Sequence, residues 1–550
     1  MMMNRKNVLL LLATLSVYFI GFNLDVMDID AAQYANMSRE MLHSNNPLFL
    51  YDVGIPYLDK PPFLIWVSSL SMKIFGVNNI AYRIPSFLFA MLALYATYGF
   101  AKIYYPKKVA ILSAVVLATC QGFFLMNHDV RTDTILMSWV IISIWQLSLW
   151  FSAGKWYNFV LGFIAIGGGM LTKGPIALFV PIFAFGAHFI LQRNFKMIFK
   201  WEYIFGITII ALVLLPMSIG LYLQFDKHPE LLVNDQTNVS GLRFFYWTQS
   251  FGRITGESTW NNNSTIFFLL QNMLWAFLPW IIFFLIGFYK AIRTIVLQRF
   301  KLSIGQEAIT TGGFLITYLS LGISKYQLPH YIYVVFPFAA IISANYLYQL
   351  IYEKKCRNTF LILYKVHVVL FCLLLAALTL LLAATLPDIS KIYIVLSVGA
   401  IVAILWWTFT QPRHLLLLCV FTSITINFFT NAAFYPALLK FQMGSNAGRY
   451  IYQHQLPPDS TFIFRYREFK AIHFYAKQNI YHKDSTAAIR VGDYIVTNNK
   501  MLPLIDSAGF NYDKLHTGDA FPVSRLSIKF LNPKTRAQVL DSFSIIKITY

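Results

Sequence analysis

The chain has 550 residues, of which 57% are hydrophobic and 12% are charged, and its formal net charge is +20. Soluble globular domains carry about 25% charged residues, so this composition excludes them and predicts a membrane protein with several spans. The basic residues fall in short loops between apolar runs. There they indicate membrane topology and attraction to lipid headgroups rather than binding of nucleic acid.

Apolar runs long enough to cross about 30 Å of hydrocarbon recur along the chain. No small-residue cleavage site follows the first run, so we expect it to be a retained span rather than a signal peptide. We predict about thirteen transmembrane helices, at residues 8–24, 84–101, 109–126, 134–151, 157–171, 175–191, 203–224, 266–288, 308–322, 331–350, 360–386, 391–409 and 414–432.

Lysines and arginines collect in the loops on one side of these predicted helices, and such loops stay in the cytoplasm. An odd number of spans then places the N-terminus inside and the tail outside. The four cysteines (Cys120, Cys356, Cys372 and Cys419) lie in spans or on the inner side, so we expect no disulfide framework in the tail. The basic clusters are Arg5/Lys6, Lys102/Lys107/Lys108, Arg193/Lys196/Lys200, Lys290/Arg293/Arg299/Lys301 and Lys354/Lys355/Arg357.

The chain divides into two predicted domains. Residues 1–440 carry the spans and are expected to form a polytopic α-helical membrane domain. Residues 441–550 contain the stretches STFIFRYREF and VGDYIVTN, which alternate like half-buried strands between turn-rich pieces. We therefore expect a small extracytoplasmic α/β or mostly β domain of about 100 residues at the C-terminus.

The segment behind the first span, at about 25–83 (the first outer segment), is unusually rich in ionisable residues for its place beside the bilayer. Such groups at membrane depth are candidates for function. Helical spacing around Tyr34, Met37 and Met41 predicts an amphipathic helix in the interface. The apolar run 63–75 is too short to span comfortably, so we expect it to lie flat or to re-enter the membrane.

Asp30 lies at the start of the predicted amphipathic helix. Asp30, Tyr34 and Ser38 are spaced so that they share one helical face. An acid at a helix start can also serve as a cap, and that structural role is open for Asp28 as well. Asp30 is therefore a candidate catalytic residue beside an ordinary structural alternative.

Asp59-Lys60-Pro61-Pro62 is a more specific motif. Paired prolines remove two backbone donors and stiffen the turn, so the lysine is presented from a fixed corner. A lysine binds phosphate as a compact point charge. The alternative is a lysine that merely extends its ammonium to the interface.

The short outer loop 127–133 contains Asp129, Arg131 and Asp133. Asp133 stands at a helix start, where capping alone would explain a carboxylate. Two acids and an arginine in seven residues are more than capping requires. We therefore expect the acids to hold a sugar hydroxyl or to orient Arg131. Asp129 and Asp133 could also share a divalent ion, but two acids alone are a weak indication of a metal.

The stretch 167–175, GGGMLTKGP, is not a nucleotide-binding loop, because Gly174 stands where such a loop needs Ser or Thr after its lysine. The glycines are expected to allow close helix packing, and Lys173 to lie on the outer face. Outer loops elsewhere in the chain add further cations and hydroxyls to that face. They are Arg253, Lys325, His330 and Tyr331.

Together these stretches resemble the aminoarabinose transferase and protein O-mannosyltransferase family of integral-membrane glycosyltransferases, the GT-C class. The resemblance covers about residues 8–440 and is closest to the bacterial lipid A aminoarabinose transferase-like branch. The tail resembles that family's extracytoplasmic domain only loosely. The matching stretches are DAAQYANMSREM, DKPPFLIW, AYRIPS, RTDTIL, LTKGP, FGRI and SKYQLPHY.

The resemblance implies a donor sugar on polyprenyl phosphate. The family aspartate that matches Asp30 is required for transfer, and the lysine that matches Lys60 contacts the carrier phosphate. Members often show an Asp-Glu pair at this place, whereas Asp30 is followed by Ala31, which leaves Asp28 as a stand-in for the second acid. We expect Asp30 to be catalytic, the donor phosphate to be bound by Lys60, Lys173, Arg253 and Lys325, and the cavity to be lined by Asp28, Tyr34, Asp59, Arg83, Asp129, Asp133, His330 and Tyr331.

We therefore predict an inverting glycosyltransferase of the bacterial inner membrane with a cytoplasmic N-terminus and a periplasmic tail. Its sugar would be 4-amino-4-deoxy-L-arabinose or a related pentose or hexose, and its acceptor lipid A. A protein or another glycan stays open as acceptor. A polysaccharide polymerase or ligase and a lipid transporter also stay open, although a transporter usually shows related halves and midplane charges. No cofactor and no nucleic-acid partner are predicted, and metal dependence stays open.

Overall fold

Helices dominate the chain up to about residue 440, and a small mixed sheet follows. The structure, a computed structural model, describes residues 5–44, 46–249, 252, 262–353, 357–386, 388–410, 414–466 and 470–550. The helices of the first part are α1 Arg5–Phe22, α2 Asp30–Met41, α3 Phe63–Phe75, α4 Asn79–Tyr104, α5 Lys107–Ala118, α6 Gln121–His128, α7 Thr132–Ala153, α8 Trp156–Lys173, α9 Ile176–Leu191, α10 Tyr203–Leu221, α11 Phe268–Ala276, α12 Ile281–Leu297, α13 Ile309–Gly322, α14 Phe336–Ile351, α15 Arg357–Ala384, α16 Lys391–Thr410, α17 Leu415–Phe429 and α18 Tyr435–Leu439.

Seven helices in the described part of the chain are long and apolar enough to cross a membrane, and the bent pair α5 and α6 passes the same test together. Shorter apolar helices lie between them, α3, α9 and α13 included. The structure therefore confirms a polytopic helical protein. The count of thirteen crossings stays a prediction, and so does a domain boundary at residue 441.

The predicted span 109–126 is broken rather than continuous. Helices α5 and α6 meet at an angle of 56°. The backbone carbonyl of Thr119 at the break accepts a hydrogen bond from Ser423, at 2.5 Å, and the hydroxyl of Thr119 accepts one from the indole of Trp280, at 3.0 Å. A break inside a membrane bundle is stable only where neighbouring helices satisfy the backbone in this way.

The predicted span 266–288 is also divided, into α11 and α12. Pro279 lies in the connection, and a proline cannot donate the backbone hydrogen bond that would continue the helix. The carbonyl of the preceding Leu278 accepts a hydrogen bond from the backbone of Gln121, at 2.9 Å. The break in α11–α12 is therefore joined to the break in α5–α6.

Helix α8 packs closely against three neighbours through its consecutive glycines. A Cβ atom on Gly168 would lie 2.7 Å from Trp139 of α7, and one on Gly169 would lie 2.6 Å from Ala177 of α9. A Cβ on Gly167 would approach a valine of α10 at 2.8 Å. The prediction that these glycines serve helix packing is thus confirmed by the contacts they make.

Arg83 of α4 is 1% exposed, and within the described residues its guanidinium donates to backbone carbonyls alone. Its guanidinium reaches His128 at 2.9 Å, Asp25 at 3.1 Å and Phe22 at 3.2 Å, and also Asn79 of its own helix at 3.3 Å. These carbonyls belong to the ends of α1 and α6 and to the chain between α1 and α2. Arg83 therefore fixes where the first outer segment leaves the bundle.

A short antiparallel hairpin, β1 Tyr51–Asp52 and β2 Ile55–Pro56, follows α2. The C-terminal sheet has the strand order β4-β3-β5-β7-β6. The first three strands are parallel, and β7 is antiparallel to both of its neighbours. Alternate residues face opposite sides, as the pleat requires: Ile495 packs with α21, whereas Val496 packs with α19 and α20. The elements are β3 Thr461–Phe464, β4 Tyr481–Lys483, β5 Tyr494–Asn498, β6 Tyr512–Ala520, β7 Asp541–Ile548, α19 Met443–Gln453, α20 Ala471–Ala476, α21 Leu502–Ser507 and α22 Ile528–Leu531.

The strands predicted in STFIFRYREF and VGDYIVTN are present as β3 and β5. Helix α20 docks this sheet onto the first outer segment. The hydroxyl of Tyr475 accepts a hydrogen bond from the backbone of Val26, at 2.7 Å, and donates to Asn79, at 2.9 Å. Arg39 of α2 donates to the side chain of Asn479. Helix α2 therefore lies between α3 and the C-terminal sheet.

We expect Arg83→Met to destabilise the fold by about 3 kcal/mol or more, since several buried carbonyls lose their donor. Unfolding in a detergent titration measures the loss. Lys102→Met on the exposed face of the same helix is the matched control and should change stability by less than about 0.5 kcal/mol. Equal stability of the two variants would contradict the role given to Arg83.

Candidate active site

A polar cavity of about 530 Å³ opens beside α2. Its walls come from the first outer segment, from the chain after α10 and from the turn that precedes α14. Acids, hydroxyls and amides line it together, so the cavity can bind a polar ligand through several hydrogen bonds. The lining residues are Asp30, Gln33, Tyr34, Tyr57, Asp59, Lys60, Val233, Asn234, Asp235, Gln236, Val239, Phe244, Thr248, Gln249, Tyr326, Leu328 and Tyr331.

A narrower and more apolar groove of about 170 Å³ adjoins the cavity. It runs between α7, α9 and α13, and it shares Lys60, Gln249 and Tyr331 with the polar cavity. The combined site is therefore amphipathic, with a cation at the junction of its polar and apolar halves. The groove residues are Lys60, Pro61, Leu136, Lys173, Pro175, Ile176, Phe179, Gln249, Ser320, Leu321, Ser324, Tyr331 and Val334.

Arg131 joins the catalytic candidate to the loop between α6 and α7. Its Nη1 donates to Asp30 and its Nε to Asp129, both at 2.7 Å. Burial acts to lower the pKa of Arg131, but the carboxylates of Asp129 and Asp30 raise it above its ordinary value, so the guanidinium stays charged. The Asp30 side chain is 41% exposed, which keeps it accessible from the cavity.

A second charged cluster lies at the start of α7. Lys173, at the end of α8, forms an ion pair with Asp133. The Nε2 of His330 lies 3.6 Å from the other oxygen of that carboxylate. The ammonium of Lys173 also lies over the ring of Tyr331, 4.3 Å from its centre. Asp133 thus pairs with Lys173 at the groove, with the His330 ring close by, and is more than a helix cap.

The Asp59-Lys60-Pro61-Pro62 turn is held in place from both sides. Asn234 donates to the carboxylate of Asp59 at 3.0 Å, and Gln249 donates to its backbone carbonyl. Pro61 and Pro62 are buried, and α3 begins directly after them. Lys60 therefore projects from a rigid corner to the junction of cavity and groove, as its motif predicted.

The C-terminal segment reaches the cavity through two hydrogen bonds in series. Lys470 donates to Asp52 Oδ2 at 2.7 Å, and the amide of Gln33 donates to the same oxygen at 2.7 Å. Gln33 in turn lines the cavity beside Asp30. No local sequence pattern could predict this connection, because its partners are more than four hundred residues apart.

The structure brings most of the predicted site residues together. Lys60 and Tyr331 line both halves of the site. Lys173 lines the groove, where it pairs with Asp133 close to His330. Asp129 pairs with Arg131, which also binds Asp30 of the cavity. Sequence reasoning missed Gln33, Gln249 and the central position of Arg131. The further cavity residues predicted from the sequence and present there are Asp30, Tyr34 and Asp59.

Three predicted residues lie elsewhere. Asp28 accepts a hydrogen bond from the backbone of Ala471 at 2.7 Å, so it holds the start of α20 rather than lining the cavity. Arg83 is committed to the backbone contacts described above. Lys325 is exposed and is not among the lining residues, although the next residue, Tyr326, is. Arg253 lies outside the described residues.

Acidic residues do not form a metal-binding group in the part of the chain that the structure describes. No three His, Cys, Asp or Glu side chains there come together as ligands. Asp129 and Asp133, which could share an ion from their spacing, bind Arg131 and Lys173 instead. The charges of this site are therefore balanced by basic side chains.

Comparison with known sequences confirms the predicted family resemblance. The profile of the dolichyl-phosphate-mannose-protein mannosyltransferase family matches residues 59–219. The undecaprenyl phosphate-α-4-amino-4-deoxy-L-arabinose arabinosyl transferase of Wigglesworthia glossinidia brevipalpis is 26% identical over 60% of this chain and 56% of its own length. That of Enterobacter sp. strain 638 is 25% identical over 58% of this chain and 55% of its own length. The chain thus spans about half the length of these relatives.

Solved structures give the fold class. ArnT from Cupriavidus metallidurans bound to undecaprenyl phosphate superposes with a TM-score of 0.75 at 16% identity, over 98% of this chain and 97% of that one. The Archaeoglobus fulgidus oligosaccharyltransferase in its apo form gives 0.51 at 14% identity, over 90% of this chain and 70% of that one. The chain therefore shares the helical fold of these two proteins, which confirms the fold class in outline.

We expect Lys470→Met to loosen α2, because the Asp52 side chain is 10% exposed and would lose its cation. The cost should be about 1–2 kcal/mol. Hydrogen exchange of the α2 amides should speed up by a corresponding factor. Lys477→Met, on an exposed lysine whose ammonium contacts Tyr452, is the control and should leave α2 unchanged. The proposed connection is wrong if α2 exchanges equally fast in both variants.

Proposed function

We propose that this chain is a glycosyltransferase that takes a sugar from a polyprenyl-phosphate carrier. The observation that carries the proposal is the junction at Lys60, Gln249 and Tyr331, where a polar cavity meets an apolar groove. A polyprenyl-phosphate sugar has the same division, with a polar sugar and a long hydrocarbon tail on either side of a phosphate. The phosphate would therefore lie at the junction of cavity and groove, where the ammonium of Lys60 can balance its negative charge.

The donor would lie with its isoprenoid tail in the groove between α7, α9 and α13 and its sugar in the cavity beside α2. Lys60 and Lys173 would then face the phosphate, and Arg253 is proposed as a further contact. Lysines bind phosphate as point charges. The name of the relatives and the undecaprenyl phosphate bound in the structure with the same fold support a donor of this class.

The proposed reaction is a single inverting displacement. The acceptor oxygen forms a bond to the anomeric carbon while the bond from that carbon to the carrier's phosphate oxygen breaks. The electron pair leaves with the polyprenyl phosphate, whose growing negative charge Lys60 and Lys173 stabilise. Where the acceptor is a hydroxyl, Asp30 takes its proton, and Arg131 fixes the carboxylate in position. An acceptor phosphate would need no base.

We propose that the site faces the outer side of a bacterial inner membrane and that lipid A is the acceptor. The positive loops predict this orientation, and the relatives named above support a lipid-linked aminoarabinose donor. The matching mannosyltransferase profile favours one second candidate, transfer to a protein hydroxyl. Both candidates use the same donor chemistry, so they differ only in what enters the open side of the cavity.

Asp30→Asn should lower kcat by about 100-fold or more, since it removes the proposed base while keeping the shape. Lys60→Met should lower kcat by about 100-fold, because the leaving phosphate loses a fixed cation. Sugar transfer from a purified polyprenyl-phosphate donor in detergent measures both. Lys73→Met, an exposed lysine on α3, is the control and should keep full activity. Full activity of both site variants would contradict the proposed mechanism.

Mass spectrometry of lipid A and of envelope proteins, from cells with and without this gene, identifies the acceptor. We expect one sugar residue on lipid A that disappears with the gene and with Asp30→Asn. The same loss on protein peptides would instead identify a protein O-glycosyltransferase. A long glycan product would indicate a polymerase, and accumulation of unchanged lipid across the membrane would indicate a transporter.

A further inference from the structure

A second large cavity, of about 490 Å³, lies at the other end of the helical bundle. It is formed by the end of α4, by α12 with the loop that follows it, and by the last turns of α14. Helix α4 begins beside the turn that holds Asp129 and ends at this cavity. Its 26 residues cover about 39 Å at 1.5 Å per residue. The cavity therefore lies near the opposite membrane surface from the candidate active site.

Two cations line this cavity from one face of α12. Lys290 and Arg293 are three residues apart, and residues at that spacing are neighbours on a helix surface. Like charges placed so close repel each other. Within the described residues neither side chain has an ion-pair partner, and the ammonium of Lys290 instead lies 4.6 Å from the centre of the Tyr346 ring.

The acid in the same cavity is already bound elsewhere. The carboxylate of Glu307 accepts hydrogen bonds from Tyr105, from the Thr310 hydroxyl at 2.5 Å and from the Thr310 backbone at 2.9 Å. It is therefore used to cap the start of α13, and it forms no ion pair with either cation. The electrostatic balance of the cavity is positive.

The cavity wall also contains a buried acceptor. The Oε1 atom of Gln298 is buried and has no hydrogen-bond partner among the described residues, while its Nε2 donates to Ser303 at 3.3 Å. A buried unpaired acceptor costs about 1–3 kcal/mol unless a donor reaches it. A ligand that fits would bring an anionic group to the two cations and a hydroxyl or amine donor to this oxygen.

We propose that this cavity binds a phosphate ester that carries a hydroxyl or amine group. The headgroup of an anionic phospholipid such as phosphatidylglycerol has this chemistry, and so does a soluble phosphate ester such as glycerol phosphate. Anionic lipids collect opposite basic segments at a membrane surface. The site is independent of the glycosyl-transfer proposal, because it shares no lining residue with the cavity or groove of the active site.

The test measures saturable binding to the purified full-length protein by native mass spectrometry. Phosphatidylglycerol, phosphatidylcholine, glycerol phosphate and inorganic phosphate are added separately. The site variant is Lys290→Met/Arg293→Met. The matched control is Arg299→Met/Lys301→Met, since both of these cations are exposed on the loop after α12 and neither lines the cavity. Melting temperatures of the two variants confirm that both are folded.

We expect the site variant to bind its ligand at least about 10-fold more weakly and the control to change by less than about 2-fold. Preference for phosphatidylglycerol identifies a lipid headgroup, and binding of glycerol phosphate alone identifies a soluble ester. Gln298→Leu should weaken either ligand more than it weakens inorganic phosphate. Equal weakening by the two double variants, or no saturable binding of any phosphate, would overturn the proposal.

Discussion

The guanidinium of Arg131 between Asp30 and Asp129 is the interaction on which the rest of the site depends. It joins the first outer segment to the turn between two membrane helices, with both contacts at 2.7 Å. An isolated exposed ion pair contributes little, typically about 0.2–1 kcal/mol. Here the side chains of Asp129 and Arg131 are 9% and 23% exposed, so this pair is largely withdrawn from water, while the more exposed Asp30 stays accessible from the cavity.

The site combines two environments that the fold keeps adjacent. Helix α2 and the hairpin after it supply polar groups, while α7, α9 and α13 supply apolar walls. Lys60 stands at the boundary because the turn before α3 is rigid and is held by Asn234 and Gln249. The C-terminal sheet completes the arrangement, since Lys470 holds Asp52 and through it Gln33.

Local features could be predicted from the sequence, and long-range ones could not. Apolar length located the helices, and the proline pair placed Lys60. The break between α5 and α6 could not be predicted from the local sequence, because the groups that stabilise it, on Ser423 and Trp280, are distant in the chain. Asp28 looked like a site residue because its partner in α20 cannot be read from the sequence around it. The prediction that Arg83 lines the cavity was wrong for the same reason, because the carbonyls that bind it belong to distant parts of the chain.

The most direct test of the account is an experimental structure of the protein in a lipid nanodisc with undecaprenyl phosphate. We expect the phosphate to lie within hydrogen-bond distance of the Lys60 ammonium, with the isoprenoid chain along the groove between α7, α9 and α13. The space beside Asp30 would remain open for the sugar. A phosphate bound away from Lys60, or an isoprenoid chain outside that groove, would contradict the account.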